Sequence, residues 1–348
     1  MRLPRNRRLL VSFALLLLFY PLSGLFAQAP YFESPRNAVP ADARFPEFVS
    51  DGERLILFYQ EVEGEGENRQ LYIRGRRTER GREFSAPFDV AGPFSAETDT
   101  IPVIYNALAR SNGELFVSVV ASPQTTEIYR APPGSTRFER TALIETEVTN
   151  VAPRIYETSD NSLLLFVNQN VGITQAILYS RSTDGESWTT LERLEEDSEV
   201  GLTFLPSHAR LDGRDFVVFQ GLNLDLRGTY QLYMKWSDDG GRSWSEARRL
   251  TTFSDITQTD NPDFYDNQRP HLETVGSQTL GVTWERRYQG GNRQIYYAEY
   301  DTEGNPGNAR DEVTSRIESA NFPRIHTFQG DTFLLWFTNP GGRSRVIL

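Results

Sequence analysis

A short motif that begins with proline recurs at intervals of roughly 55 residues, and this repeat constrains the fold more than any other feature. In each copy, the proline is followed by one variable residue and one apolar residue, and an apolar run comes soon afterwards. The copies are Pro46-Glu47-Phe48, Pro102-Val103-Ile104, Pro153-Arg154-Ile155, Pro270-His271-Leu272 and Pro323-Arg324-Ile325, with Ala209-Arg210-Leu211 in the remaining position. Six copies of one short unit predict a repeat architecture, because such units bury their apolar faces against their neighbours.

Each unit contains four β-strand patterns, and no stretch shows sustained helical periodicity. After the motif comes a buried run such as Leu163–Val167, then a run opening with Gln or Glu, then an aromatic–aliphatic pair such as Trp188 and Leu194. Four strands in about 50 residues match a β-propeller blade. We therefore predict an all-β fold, a six-bladed β-propeller of four-stranded antiparallel blades starting near residues 44, 100, 151, 207, 268 and 321.

The first 29 residues have the pattern of a secretory signal peptide. Four arginines precede the apolar run 9–19, and Ala27-Gln28-Ala29 resembles a cleavage site. We expect residues 30–348 to form the propeller and to be exported to the periplasm, the cell surface or the medium. The alternative is an uncleaved membrane anchor.

The two ends of the chain predict how the ring closes. The last unit has no fourth-strand pattern, and residues 31–35 resemble the start of a fourth strand. We expect the N-terminal strand to complete the last blade, which would remove an exposed sheet edge.

Two segments carry the pattern S-x-D-x-G-x-S-W, one of them a residue shorter than the other. In Ser237–Trp244 and Ser182–Trp188, the aspartate can accept backbone N–H groups, the glycine supplies a left-handed φ, and the tryptophan packs beneath the turn. These segments resemble the Asp-boxes, or bacterial neuraminidase repeats, of sialidase-like propellers. The resemblance implies structural roles for Ser182, Asp184, Gly185, Trp188, Ser237, Asp239, Gly241 and Trp244.

Charge and cysteine content exclude several classes of function. The chain has 47 acidic and 36 basic residues, and its net charge of −11 argues against a nucleic-acid partner. Cysteine is absent from the sequence, which excludes disulfides, thiolate metal sites and thiol nucleophiles. Because Lys235 is the only lysine, positive charge is almost entirely arginine, which suits bidentate binding of carboxylates and phosphates.

In a propeller of this connectivity, the start of strand one and the end of strand two of each blade meet at the central funnel. The strand-one starts are Glu47, Val103, Arg154, Arg210, His271 and Arg324, and the strand-two ends are Gln60, Asn168, Gln220 and Glu285. Three arginines and a histidine predict an anionic ligand, a glycan or a similar small molecule. The alternative is that these side chains point outward into solvent.

The resemblance to sialidases implies more specific roles. Sialidases bind the carboxylate of sialic acid with three arginines, the first in an R-I-P-like motif, and Arg44-Phe45-Pro46 is similar to that motif. Arg210 and Arg269 are then implied as the other two, in competition with Arg154 and Arg324.

The same resemblance implies a tyrosine nucleophile, a glutamate that assists it and an aspartate acid, an exception to the two-carboxylate scheme of most glycosidases. The residues available for these roles are Tyr265, Tyr288 or Tyr297 as nucleophile, Glu199 or Glu285 as base, and Asp99 as acid.

We expect no cofactor. The histidines at 208, 271 and 326 lack metal-ligand spacing, and the sequence has no P-loop, dinucleotide fingerprint or G-x-S-x-G motif. The acidic stretch Glu61–Glu67 is expected to be a solvated loop, with a calcium site as the alternative because carboxylates suit a hard cation.

Three functions follow as alternatives. The first is a non-catalytic propeller that recognises an anionic glycan or a protein. The second is an exo-sialidase-type glycoside hydrolase that cleaves terminal sialic acids. The third is a scaffold or protein-interaction propeller of an envelope assembly. Because one fold hosts many functions, the arrangement of the arginines around the funnel has to distinguish them.

Overall fold

A computed structural model of the chain describes residues 43–51, 54–65, 68–79, 83–95, 104–146, 149–171, 174–196, 200–223, 229–252, 266–287, 293–307, 311–314, 320–328, 331–338 and 345–347. Within these ranges, 24 strands form six antiparallel sheets, which we number in chain order. The predicted signal peptide and the predicted N-terminal closing strand lie outside the described residues.

The sheets follow one another along the sequence, and each begins with the strand that carries the repeated motif. Sheet 1 contains β1 (Arg44–Ser50), β2 (Arg54–Glu63), β3 (Gln70–Glu79), β4 (Glu83–Phe84) and β5 (Phe88–Ser95). Sheet 2 contains β6 (Tyr105–Ala109), β7 (Leu115–Ser122), β8 (Thr125–Ala131) and β9 (Glu139–Glu145). Sheet 3 contains β10 (Thr149–Glu157), β11 (Leu163–Val171), β12 (Thr174–Ser182) and β13 (Glu192–Arg193).

The second half of the chain continues this order. Sheet 4 contains β14 (Val200–Leu211), β15 (Arg214–Asn223), β16 (Thr229–Ser237) and β17 (Arg248–Arg249). Sheet 5 contains β18 (Asp266–Val275), β19 (Thr279–Arg287), β20 (Arg293–Tyr300) and β21 (Asp311–Glu312). In the described ranges, sheet 6 contains β22 (Ala320–Phe328), β23 (Asp331–Thr338) and β24 (Arg345–Ile347).

The second strand of a sheet lies between two neighbours and has a nearly continuous apolar sequence. In sheet 3, β11 pairs with both β10 and β12, and Leu163–Val167 are all buried. In sheet 4, Phe216–Phe219 of β15 are buried in the same way. Because both faces of such a strand are covered, its sequence lacks the polar–apolar alternation of a half-exposed strand.

Apolar clusters join consecutive sheets. The clusters between sheets 1 and 2, 2 and 3, 3 and 4, and 4 and 5 include the pairs Phe58 with Val117, Phe116 with Leu165, Phe166 with Phe219, and Met234 with Trp284. Strands β18 and β19 of sheet 5 contact β22 of sheet 6. Consecutive packing of antiparallel four-stranded sheets is consistent with a β-propeller.

The predicted all-β class and the four-stranded antiparallel sheets are therefore confirmed. Two first strands depart from their predicted starts: β6 begins at Tyr105, after the start expected near residue 100, and β14 begins at Val200, before the start expected near residue 207. In sheet 4 the reason is that β14 carries two irregularities in its pairing with β15, between Val200 and Thr203 and between Phe204 and Ser207. These bulges lengthen the strand and shift its motif.

Candidate functional site

One cavity of about 700 Å³ is lined by residues from the first strands of all six sheets, or from just before them. Charged side chains, aromatic rings and backbone edges all contribute to its wall. The lining residues are Phe45, Pro46, Glu47, Ile104, Tyr105, Asn106, Ala107, Leu108, Arg154, Ile155, Tyr156, Leu205, Pro206, Ser207, Arg269, Pro270, His271, Phe322 and Arg324. The first strands of the six sheets therefore meet at a common site.

Five of the six first strands reach the cavity through the same irregular backbone geometry. A residue with a left-handed φ of 50° to 54° precedes a proline, and the ladder to the second strand shifts its register at that point. These left-handed residues are Phe45, Ala152, Leu205, Arg269 and Phe322. The bulge re-aims the chain so that the residue after the proline faces the cavity.

We call the residues at this position the ring residues. They share one register against the second strand: Arg154 pairs with Phe166, for example, and Asn106 pairs with the equivalent Ser118 in sheet 2. In chain order the ring residues are Glu47, Asn106, Arg154, Ser207, His271 and Arg324.

Two predicted positions in this ring are wrong. In sheet 4 the motif is Leu205-Pro206-Ser207, so Ser207 occupies the place predicted for Arg210. Arg210 is exposed, does not line the cavity, and places Nη1 3.2 Å from Oε2 of Glu157. In sheet 2, Asn106 takes the place predicted for Val103, which lies outside the described residues.

Four ring residues accept a hydrogen bond from the backbone of the next sheet. The donor is in each case the N–H that follows the next ring residue: Ala107 N to Glu47 Oε2 at 3.1 Å, Ile155 N to Asn106 Oδ1 at 2.7 Å, Leu272 N to Ser207 Oγ at 2.9 Å, and Ile325 N to His271 Nδ1 at 3.3 Å. The other two ring residues are arginines, which have donors only and cannot perform this task. In sheet 3, the hydroxyl of Tyr156 instead donates to the carbonyl oxygen of Pro206 in the next sheet, at 3.5 Å.

Arg154 and Arg324 are consequently free to interact with a ligand. Among the described residues, neither has a carboxylate within 4.0 Å, and Arg324 donates from Nη1 to its neighbour Pro323 O at 3.0 Å. Burial and the like charge of Arg154 lower the pKa of the Arg324 guanidinium. An anionic group in the cavity would relieve this repulsion and supply charge-assisted hydrogen bonds.

His271 and Glu47 complete the charged lining. Burial, together with the positive charge of Arg324, lowers the pKa of His271 well below its ordinary value, so the imidazole is neutral. Because its Nδ1 accepts a hydrogen bond, its proton lies on Nε2, which can donate. Burial raises the pKa of Glu47, although Arg154 and the backbone of Ala107 act in the opposite direction.

Arg269 lines the cavity, but its guanidinium is already engaged in an ion pair. Its Nη1 lies 2.7 Å from Oε2 of Glu285, which also receives Nη1 of Arg293 at 3.3 Å. Its guanidinium lies over the ring of Phe322, 4.7 Å from the centroid. Arg269 is therefore part of an ion-pair cluster at the cavity wall.

The strand-two ends hold the left-handed residues in place. Side-chain oxygens of three of them accept the backbone N–H of the left-handed residue in the next sheet: Asn168 from Leu205 at 3.1 Å, Gln220 from Arg269 at 2.9 Å and Glu285 from Phe322 at 2.5 Å. Glu285 thus performs the same structural task as an asparagine and a glutamine, and its side chain is 1% exposed. This position does not suit a catalytic base.

The remaining predicted catalytic and binding residues lie apart from the cavity or outside the described ranges. Arg44 begins β1, is exposed and does not line the cavity. Tyr297 donates to Glu299 Oε1 at 2.9 Å from the third strand of sheet 5. Outside the described residues lie Tyr265, Tyr288, Glu199 and Asp99.

The sequence interpretation missed two tyrosines in the cavity wall, Tyr105 and Tyr156. Burial raises the pKa of both hydroxyls, and Arg154 and Arg324 oppose this at Tyr156. Tyr156 stands two residues after Arg154 on the same strand, so period-two alternation is the signal that identifies it. Tyr105 occupies the place that proline has in the other five copies, which hid its motif.

The turn at Ser237–Trp244 has the hydrogen bonds predicted for it. Oδ1 of Asp239 accepts from the N–H groups of Arg242 and Ser243, both at 2.9 Å, and Oγ of Ser237 accepts from Gly241 N at 2.7 Å. Burial alone would raise the pKa of Asp239, but these bonds and the Ser243 hydroxyl lower it to about 2. Asp239 is a turn residue and lies away from the cavity.

The turn at Ser182–Trp188 is built in the same way. The N–H groups of Ser187 and Glu186 donate to Oδ1 of Asp184, both at 2.8 Å, and lower its pKa to about 2. Trp188 packs against the cluster between sheets 2 and 3, and Trp244 against that between sheets 3 and 4. Both turns therefore anchor the packing of neighbouring sheets.

The other two histidines belong to local networks. Nε2 of His208 lies 2.9 Å from Oδ1 of the buried Asp215, whose Oδ2 accepts from Ser159 Oγ at 2.6 Å. Nδ1 of His326 lies 3.9 Å from Oε2 of Glu273. In the part of the chain that the structure describes, no group of three or more metal-ligating side chains is placed to hold an ion.

The described part of the acidic stretch binds an arginine. Oε2 of Glu61 and Oε1 of Glu63 lie 2.5 Å and 2.6 Å from the guanidinium nitrogens of Arg74. Glu67 lies outside the described residues.

The described ranges contain no helix with the length and apolarity that a membrane span requires.

Solved structures with a similar fold include one protein of unknown function and two enzymes. The protein from Dyadobacter fermentans is 12% identical, with a TM-score of 0.58, over 87% of this chain and 93% of its own. The Penicillium chrysogenum α-L-arabinanase complexed with arabinobiose is 14% identical, with a TM-score of 0.57, over 90% and 94%. The Fusarium graminearum GH93 α-L-arabinofuranosidase, also with arabinobiose, is 16% identical, with a TM-score of 0.54, over 89% and 94%.

Sequence comparison adds no family assignment, because neither a family model nor a curated protein matches this chain. At 12% to 16% identity, the structural likeness concerns the fold. The two enzymes act on arabinose-containing substrates by name, so the likeness does not single out sialidases as the sequence resemblance did.

Proposed function

We propose that this protein is an exported six-bladed, sialidase-like propeller that binds an acidic glycan in its central cavity. The observation that carries the proposal is the pair Arg154 and Arg324, which line one cavity without a carboxylate partner among the described residues. Export rests on the signal-peptide pattern of residues 1–29.

A sugar ligand is supported by the fold and an acidic one by the charge. Two structures of similar fold hold arabinobiose, and propeller cavities commonly bind small ligands. A neutral arabinose unit offers no counter-charge to two arginines. A uronic or sialic acid would place its carboxylate on them, with Nε2–H of His271 as a further donor.

We propose binding rather than catalysis, because Glu47 in the cavity wall and Glu285 beside it already have hydrogen-bond partners within the protein. Among the described lining residues, the one carboxylate is Glu47, which accepts from Asn106 Nδ2 and Ala107 N. Glu285 holds two arginines and the Phe322 backbone.

A sialidase-type activity is the second candidate, favoured by one observation. The pKa of Tyr156 responds to Arg154, Arg324 and Glu47, so a hydroxyl, two guanidinium groups and a carboxylate share one cavity. These side chains are part of the set that the sialidase resemblance implies. Arg154 and Arg324 are its competing arginine candidates, whereas Tyr156 and Glu47 are not among the residues it assigned, and the described lining holds no aspartate for the acid role.

Calorimetric titration of the purified protein tests the proposal. The ligands are methyl β-D-glucuronide and methyl α-N-acetylneuraminide, with methyl β-D-glucoside as the neutral counterpart of the first. We expect at least one acid sugar to bind and the neutral sugar to bind at least tenfold more weakly. Arg154→Met and Arg324→Met should each weaken acid binding about tenfold to a hundredfold, the range for a lost hydrogen bond to a charged group.

Arg137→Met is the matched control, because Arg137 is 85% exposed and pairs only with the exposed Glu139 among described residues. Its binding should equal that of the wild type. If neither acid sugar binds, the proposal is rejected and the envelope scaffold is favoured. Release of 4-methylumbelliferone from its N-acetylneuraminide, abolished by Tyr156→Phe, would establish the second candidate.

A further inference from the structure

Two phenylalanines stand at the open end of the cavity. Phe45 is 55% exposed and Phe322 is 52% exposed, and both line the cavity. Single exposed apolar side chains are common on protein surfaces, but two that line one polar cavity offer apolar surface to whatever binds there. Of the exposed large apolar residues in the described ranges, these two are the ones at the cavity.

Both rings are attached to backbone that is fixed in position. Phe45 has φ 50° and its carbonyl oxygen accepts from the hydroxyl of Tyr105. Phe322 has φ 53°, its N–H donates to Glu285 Oε1 at 2.5 Å, and one ring face is covered by Arg269. A preorganised aromatic surface loses little entropy when a ligand packs on it.

The polar groups lie deeper than the rings. Arg154 and Arg324 are half-buried in the same cavity, whereas the two phenylalanines are more than half exposed. A ligand that contacts both levels needs an acid group at its inner end and an apolar surface at its outer end. A plain uronic acid can offer the rings only the C–H face of its pyranose, whereas a flat aromatic substituent covers more of their apolar surface.

Resting on the proposed function above, we infer that the preferred ligand is an acid sugar that carries a flat apolar substituent, with the substituent packed on Phe45 and Phe322. The two rings then determine specificity, and the two arginines supply the affinity for the acid. The contribution expected of each ring is that of one aromatic contact, about threefold to tenfold in affinity.

Titration with matched glycosides tests this inference. Glucuronic acid and N-acetylneuraminic acid are each used as the methyl and the 4-nitrophenyl glycoside, and 4-nitrophenyl β-D-glucoside is the aryl sugar without an acid. We expect the 4-nitrophenyl acid glycoside to bind about tenfold tighter than its methyl counterpart, and the neutral aryl glucoside to bind more weakly than either.

Phe45→Ala and Phe322→Ala should each reduce the aryl advantage, measured as the ratio of 4-nitrophenyl to methyl glycoside affinity. Alanine is compatible with this backbone, since Ala152 occupies the equivalent position of sheet 3 at φ 51°. Phe48→Ala is the matched control: Phe48 is 52% exposed on the same strand as Phe45 but does not line the cavity. It should behave as the wild type.

The possible failures separate the inference from the proposed function. If the acid methyl glycosides bind but the aryl group adds nothing, the aromatic contact is overturned and acid binding stands. The same holds if the aryl advantage survives in the Phe45→Ala/Phe322→Ala double variant. If no acid glycoside binds, both fail. If the neutral aryl glucoside binds as tightly as the acid one, the arginines have no part in recognition and the inference is rejected.

Discussion

The Oε2 atom of Glu285 lies 2.7 Å from Nη1 of Arg269, so two residues expected to act on a ligand bind each other. Glu285 also accepts the backbone N–H of Phe322, the task that Asn168 and Gln220 perform in other sheets. A carboxylate at this position adds an ion pair to a structural hydrogen bond. Its burial next to the cavity wall is therefore explained without catalysis.

Two replacements of Glu285 should lower the free energy of unfolding to different extents. Glu285→Gln keeps an acceptor for Phe322 N, as glutamine does at position 220, but loses the charge that holds Arg269 and Arg293. We expect a loss of about 2 kcal/mol in the free energy of unfolding, measured with urea, and about 1 kcal/mol more for Glu285→Ala. Unchanged stability in Glu285→Gln, together with lost sialoside hydrolysis, would instead identify a catalytic base.

Asp239→Ala should destabilise the protein and leave ligand binding intact. Asp239 accepts two backbone N–H groups, which would lose their partner, so the free energy of unfolding should fall by about 1–2 kcal/mol. Its neighbour Asp238 is the control, because it is 62% exposed and contacts only Arg214 among the described residues. Asp238→Ala should change stability by less than about 1 kcal/mol. Lost glycan binding in Asp239→Ala would contradict the turn role.

Glu273 should make the protein less stable as pH rises. Burial raises its pKa from the usual 4.5 to about 7, so the native state binds a proton that the unfolded state has released. The stabilising contribution is complete below about pH 4.5 and is lost as pH rises through about 7. Glu273→Gln should therefore have a flatter profile of melting temperature between pH 5 and 8 than the wild type.

The exposed Glu145 supplies the control for this pH series. Glu145→Gln should follow the wild-type profile. His326, whose Nδ1 lies 3.9 Å from Glu273, has a pKa lowered by burial and by Arg324. Parallel profiles for Glu273→Gln and the wild type would show that Glu273 titrates normally.

Arg210→Ala should bind acid sugars as the wild type does. Arg210 contacts Glu157 and the carbonyl of Thr158 away from the cavity, and Glu157 keeps Arg110 and Ser111 as partners. Because the Arg210 side chain is 40% exposed, its loss should cost less than about 1 kcal/mol of stability. A fall in affinity as large as that of Arg154→Met, in the same titration, would return Arg210 to the binding site.

The strand order and much of the cavity wall were predictable, because the proline of the repeat marks a bulge in the first strand. Proline follows the left-handed residue in five sheets, so the proline motif locates the bulge and the ring residue after it. Arg154, His271 and Arg324 were placed in the ring on this basis, together with Glu47. The buried run Leu163–Val167 was equally predictable, since a strand that is buried on both faces has a continuous apolar sequence.

The motif predicted the wrong ring residue in two sheets, where proline was absent or a second match to the pattern was nearby. In sheet 2 a tyrosine, Tyr105, takes the place of proline, and Pro102 stands just before the strand as a false start. In sheet 4, the alternation of Ala209, Arg210 and Leu211 matched the pattern although Pro206 marks the bulge. A bulge adds residues without changing polarity, so periodicity alone does not locate it.

The ion-pair partners of the charged residues were beyond the sequence, even within one sheet. Nothing in the repeat shows that Glu285 pairs with Arg293 as well as with Arg269. Arg293 lies on β20, and Arg269 lies at the bulge of β18, so both contacts depend on how these strands align with β19. Whether an arginine is free for a ligand depends on such neighbours, and these follow from the packed structure.

The left-handed position before the ring residue holds Phe, Ala, Leu, Arg and Phe in five sheets at nearly the same φ. Its backbone is fixed by the next residue and by a neighbouring side chain, so the same conformation accepts four residue types of different size and polarity. A library randomised at Phe45, Ala152, Leu205 and Phe322 would explore new ligands on one unchanged scaffold.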